Sequence, residues 1–98
     1  MPTITTALHN NELTITPQPG FDYRAIDEFI DAYQNETDAN SYTIDLRQIN
    51  HLDSSTLGML LLMRKTIEDK TPIHISNANT TVKKILIMSR FDKKFKID

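Results

Sequence analysis

The chain has 98 residues, 39% of them hydrophobic and 24% charged, the proportions of a folded domain with one hydrophobic core and not of a disordered segment. It contains no cysteine and carries a net charge of −2, which excludes disulfide frameworks, thiol catalysis and thiolate zinc sites and leaves no global pull toward nucleic acid or an anionic membrane. No apolar run approaches the ~20 residues that cross a bilayer, and residues 1–6 lack the basic and apolar regions of a signal peptide, so one cytoplasmic domain over residues 1–98, without membrane insertion, is expected.

In chain order, residues 3–8 and 12–16 alternate apolar with polar, and His9, Asn10 and Asn11 between them supply turn chemistry; this predicts a β-hairpin. Pro17, Pro19 and Gly20 stop the second strand. Asp22 can cap a helix whose apolar stripe is Ile26, Phe29, Ile30 and Tyr33, with Asp27, Glu28, Asp31 and Glu36 turned to water. After a polar linker at residues 37–40, residues 42–47 alternate again, Ile44 and Leu46 on one side and Thr43, Asp45 and Arg47 on the other. A strand buried on both faces reads as continuous Val, Ile and Leu, so helices are expected on one face of the sheet only.

Residues 54–70 predict a second helix, stopped near Lys70 by Pro72, and residues 72–76 a strand with Ile73 and Ile75 opposed to His74 and Ser76. Asn79 or Thr80 can cap a short third helix carrying Val82, Ile85 and Leu86, and residues 95–97 read as a final edge strand. The order β-β-α-β-α-β-α-β predicts right-handed crossovers and a mixed, mainly parallel sheet.

Charge is unevenly spread along this order. Residues 1–53 hold nine acids against Arg24 and Arg47, a balance of −7, and residues 54–98 hold nine bases against four acids, a balance of +5. Such a split can steer a charged partner, and a basic second half is also a common solubility device.

The most informative stretch is Leu52-Asp53-Ser54-Ser55-Thr56-Leu57-Gly58. An Asp at the N-cap accepts from the free amides of the first turn, which puts Ser54 and Ser55 at the first and second helical positions. Unpaired N–H groups and the macrodipole favour negative charge there, so a phosphate leaves the helix intact and changes the surface. Of residues 57–63 only Gly58 is not apolar. Leu57, Leu60 and Leu61 are expected to face the sheet, with Met59, Leu62 and Met63 on the flanks. Such a helix is either wedged between neighbours or partly open to a partner.

The pattern Ile44-Asp45-Leu46, Ile49, then His51-Leu52-Asp53-Ser54-Ser55-Thr56-Leu57-Gly58 and an apolar helix resembles the STAS domain of sulphate transporters and anti-sigma factor antagonists, over essentially the whole chain. The resemblance implies an α/β STAS fold with a four- to five-stranded sheet, an N-terminal hairpin and helices on one face. It also implies a bacterial regulator that binds its partner while unphosphorylated. A Ser/Thr kinase of the anti-sigma type would phosphorylate Ser55, with Ser54 second choice, and a serine phosphatase, alone or fused to a response regulator, would reverse it. Asp53 would cap the helix and orient the acceptor, Thr56 stands where many antagonists have Gly, and Gly58 would permit close helix packing. Ser54, Leu57, Met59 and Leu62 would meet the downstream regulator. The alternative the family offers is a non-phosphorylated scaffold subunit of a lipid-transport ABC complex.

Other chemistry is weakly supported. His51 and Asp53 sit near the serines, but the Gly-x-Ser-x-Gly elbow and an oxyanion hole are missing, so no enzyme is expected. His51 is expected as an exposed polar residue closing its strand. His9, His51 and His74 come from separate segments without ligand spacing, and Gly20 and Gly58 are the only glycines, too few for a phosphate loop. No metal or cofactor is expected, and nothing demands more than a monomer.

Overall fold

The computed structural model describes residues 3–35 and 38–98. The hairpin pairs β1 (Ile4–His9) antiparallel with β2 (Glu12–Pro17), His9 opposite Glu12. Asn10 and Asn11 form its two-residue turn in the left-handed region, with φ of 51° and 65°, the conformation whose twist matches that of paired strands and which Asn tolerates well. The chain continues through α1 (Ile26–Gln34), β3 (Ser41–Asp45), α2 (Ser54–Thr66), β4 (Ile73–Ser76), α3 (Thr80–Met88) and β5 (Lys96–Ile97), with short 3₁₀ turns at Tyr23–Ala25 and Phe91–Lys93.

The five strands lie in the order β1-β2-β3-β4-β5, and every pair after the hairpin is parallel. The register stacks two apolar tiers across the middle of the sheet, Leu13–Tyr42–Ile73 and Ile15–Ile44–Ile75. All six side chains are buried, and Phe29, Tyr33, Leu60, Met63, Val82 and Leu86 from the three helices join them in one core. Residues of the other parity, Glu12, Thr14, Thr43, His74 and Ser76, are only half-buried. The period-2 pattern thus places the helices on one face, as expected.

Four details differ from the sequence expectation. The buried stripe runs from Ala25 of the 3₁₀ turn to Phe29 and Tyr33 of α1, while Ile26 is exposed. Asp22 caps the 3₁₀ turn through the Arg24 amide, so that Ala25 enters the core one residue before the α-helix begins. Glu28 does not face water freely: it accepts from the Thr3 hydroxyl at 2.7 Å and from the amides of Thr3 and Ile4, tying α1 to the edge strand. Glu36 and the start of the linker, at Thr37, lie outside the described residues.

Asp45, expected on the polar face, is buried because it accepts from the Arg47 amide, the Arg47 guanidinium and the Asn77 side chain. Finally, α2 ends at Thr66 rather than near Lys70. Ile67 turns extended with ψ of 140°, and Arg64 donates to the carbonyls of Glu68 and Thr71, fixing a turn in place of another helical one. Two β-branched residues at this point, Thr66 and Ile67, weaken helix propagation.

Candidate functional site

Because β3 has strands on both sides, its C-terminal end opens at the middle of one edge of the sheet. The loop that leaves it is held by the buried side chains of Leu46, Ile49 and Leu52 and by the Leu46 amide, which donates to the Ser76 carbonyl at 2.9 Å. His51 lies exposed in this loop, beyond the end of β3 rather than within it. The loop delivers Asp53, on extended backbone with φ −97° and ψ 178°, to the start of α2.

The start of α2 is a reciprocal capping box. Asp53 Oδ1 accepts from the Thr56 amide at 2.9 Å, and the Asp53 amide donates to Thr56 Oγ1 at 3.0 Å. Ser54 and Ser55 occupy the first two helical positions and both are exposed, whereas Thr56 is buried. Ser55 Oγ donates to Asp53 Oδ1 at 2.7 Å. The Thr56 amide and, next, the Ser55 hydroxyl hold the Asp53 carboxyl below its ordinary value. It is therefore ionised at neutral pH and a weak base. It orients the Ser55 oxygen; it is not built to remove its proton.

A second connection, not foreseen from the sequence, opens near this turn. The β2–α1 connection opens at the same edge, where Asp22 is clasped by the Arg24 guanidinium at 2.8 Å. That guanidinium lowers the Asp22 carboxyl most, while the charge on Asp53 acts in the opposite direction. The available signal was topological: successive parallel strands place their following loops at one sheet edge.

The other residues singled out separate clearly. On α2 the inward stripe is Thr56, Met59, Leu60 and Met63, so Met59, 3% exposed, is a core residue and has no surface to offer a partner. The flexible Met side chains fill the core between helix and sheet. Leu57 and Leu61 are half-buried and Leu62 is exposed about two helical turns beyond Ser55. Gly58 does not serve close packing within this chain, since a Cβ there would meet no atom within 4 Å.

His9, His51 and His74 stand on the hairpin, the loop and β4. Among the described residues no group of three or more His, Cys, Asp or Glu comes together as a metal site. No described helix is long and apolar enough to cross a membrane.

Fold and turn together define a class: small α/β domains that carry an N-terminal hairpin, a parallel sheet and a helix layer on one face. Residues 4–97 match the family model described as "Mlab, STAS domain". A STAS-domain containing protein of Pseudomonas aeruginosa (strain UCBPP-PA14) is 43% identical over 88 residues, 88% of this chain and 87% of that relative. The chain belongs to the STAS domain family.

Among solved structures, the crystal structure of a candidate anti-sigma factor antagonist from Thermotoga maritima superposes with a TM-score of 0.81 at 18% identity, covering 96% of this chain and 84% of that one. An anti-sigma factor antagonist from Mycobacterium paratuberculosis gives 0.75 at 16% identity, with 97% and 83% covered. At such identities the likeness is one of fold.

Proposed function

We propose that this STAS domain is a cytoplasmic regulator of the anti-sigma factor antagonist type, not an enzyme, which holds a partner regulator or kinase while Ser55 is unmodified and releases it on phosphorylation. The observation that carries the reading is the Ser55 hydroxyl, exposed at the second position of a helix whose cap is completed by Thr56 and not by Ser55 itself. Phosphorylation therefore costs the helix one Ser–Asp hydrogen bond and leaves the cap whole. The dianion would sit at the positive end of α2, which tolerates it, and beside Asp53, so that any partner covering the turn would then meet a desolvated pair of like charges. Nucleotide would reside on the partner kinase of the anti-sigma type, and a serine phosphatase would reset the switch. Ser54 and Leu57 next to the acceptor, and Leu62 about two turns further along α2, are the proposed contacts for the downstream regulator.

Phosphosite mass spectrometry of the protein from its native cell, combined with capture by Ser55→Ala bait, tests this. Phosphate on Ser55 that varies with growth conditions, and a partner kept by Ser55→Ala but lost by Ser55→Asp, are the expected results. Constant absence of phosphate, together with co-purifying transporter subunits, would instead establish the scaffold reading.

A further inference from the structure

The charge split along the sequence becomes a split across the helix layer. Right-handed crossovers over a sheet ordered β1-β2-β3-β4-β5 lay the helices side by side as α1-α2-α3. At one border α1 exposes Asp27 and Asp31; at the other α3 exposes Lys83 and Lys84. None of the four forms an ion pair among the described residues.

Apolar surface accompanies both charges: Tyr23 (62% exposed) and Ile26 at the start of α1, Leu62 on α2, Ile87 and Met88 (75%) on α3. Just past α3, Arg90 adopts the left-handed conformation at φ 64°, a position that glycine fills more comfortably. The chain thus keeps a guanidinium at the basic border in a backbone conformation unfavourable to it.

We propose that the helix layer is a self-association surface, on which a second copy packs about a two-fold axis parallel to α2. That rotation sets α2 on its own counterpart and α1 of each copy opposite α3 of the other. Asp27 and Asp31 then meet Lys83 and Lys84 twice over, with Ile87 and Met88 of α3 beside each of these contacts and Leu62 of α2 nearest the axis. The perpendicular in-plane axis would stack α1 on α1, acid against acid, and is disfavoured.

The domain measures 32 × 32 × 20 Å, and its broad face is ample for the ~800 Å² per partner of a standard interface. The proposal rests on charge and shape and not on any role of Ser55; phosphate on both copies would gather like charge where α2 meets α2 and weaken the pair. Because the layer includes the start of α2, self-association and capture of a regulator at Ser55 would compete.

Sedimentation equilibrium of the purified chain at low ionic strength is the test. The mass should rise with concentration from 11.3 kDa toward twice that value, and the association should largely vanish near 1 M salt, where the screening length is ~3 Å. Two exposed double variants sharpen it: Lys83→Glu with Lys84→Glu, and Asp27→Lys with Asp31→Lys. Each alone should associate about 100-fold more weakly, and an equimolar mixture should recover the wild-type strength because every α1–α3 contact is again between opposite charges. Circular dichroism confirms that each variant is folded. A wild-type chain that stays at 11.3 kDa throughout, a mixture no tighter than its components, or growth beyond a dimer would each overturn the proposal.

Discussion

The starts of α2 and α3 share a plan. Asp53 and Asn79 sit on extended backbone, each side chain caps the amide three residues on, at 2.9 Å for Thr56 and 2.8 Å for Val82, and two exposed hydroxyl residues fill the first two helical positions. The differences are small and chemical. At α2 the cap is ionised, Ser55 donates to it, and the third position is a Thr that closes the box. At α3 the cap is neutral, Thr81 makes no corresponding bond among the described residues, and the third position is the buried apolar Val82. A hydroxyl at a helix start is therefore not a switch by itself. What sets Ser55 apart is the ionised Asp53 carboxylate that holds it and the buried Thr56 that closes the cap behind it.

The widest separation between the two starts should come from placing a carboxylate at the second helical position of each. Ser55→Asp is expected to weaken the complex with the partner regulator by about 100-fold, since a desolvated like-charge contact costs several kcal/mol. Thr81→Asp should change it by no more than about twofold, as an exposed charge far from the contact does. Titration calorimetry on both variants reads the difference, and equal losses would end the distinction between the two starts.

Next in size are the caps. Asn79→Ala should destabilise the domain by about 1 kcal/mol in urea unfolding. Thr56→Ala removes the reciprocal bond and leaves the Asp53 amide without its acceptor, for a loss of about 1–2 kcal/mol.

Gly58→Ala should raise stability by roughly 0.5–1 kcal/mol, because Ala is the better helix former and its methyl group meets open space. If a partner lies close over the exposed side of α2, the same variant binds it less well, so paired unfolding and binding measurements locate the docking face.

The smallest effect is on pH dependence. The Thr56 amide and the Ser55 hydroxyl hold the Asp53 carboxyl below its ordinary value in the folded state, so its contribution is complete above that ordinary value and lost as pH falls through the lower folded one. Asp53→Asn should flatten this acid limb in thermal melts, and Asn79→Asp should add one of the same sign.

Much of this molecule was legible before any coordinates. The hairpin, the order of strands and helices, and the positions of Ser54, Ser55 and the Asp53 cap follow from periods of 2 and 3.6 and from bonds that span three residues. The face of α2 was not legible. Six of residues 57–63 are apolar, so the run contains no contrast from which a phase could be read, and the neighbours, not the helix, chose Met59 and Met63 for the core. The end of α2 is illegible for a related reason: Arg64 fixes the turn beyond it by reaching the carbonyl of Thr71, seven residues on.

By itself, then, the amino-acid order determined the local chemistry: which segments pair or coil, and which carboxylate greets which hydroxyl at the head of a helix. Those interactions lie within a few residues of one another, and the chain cannot avoid them once the elements form. Only the tertiary structure brought the β2–α1 and β3–α2 connections to one edge of the sheet, buried Asp45, and set the acids of α1 and the lysines of α3 on opposite borders of one helix layer. Such placements depend on crossover handedness and on competition for a single core, and no window of neighbouring residues contains that information.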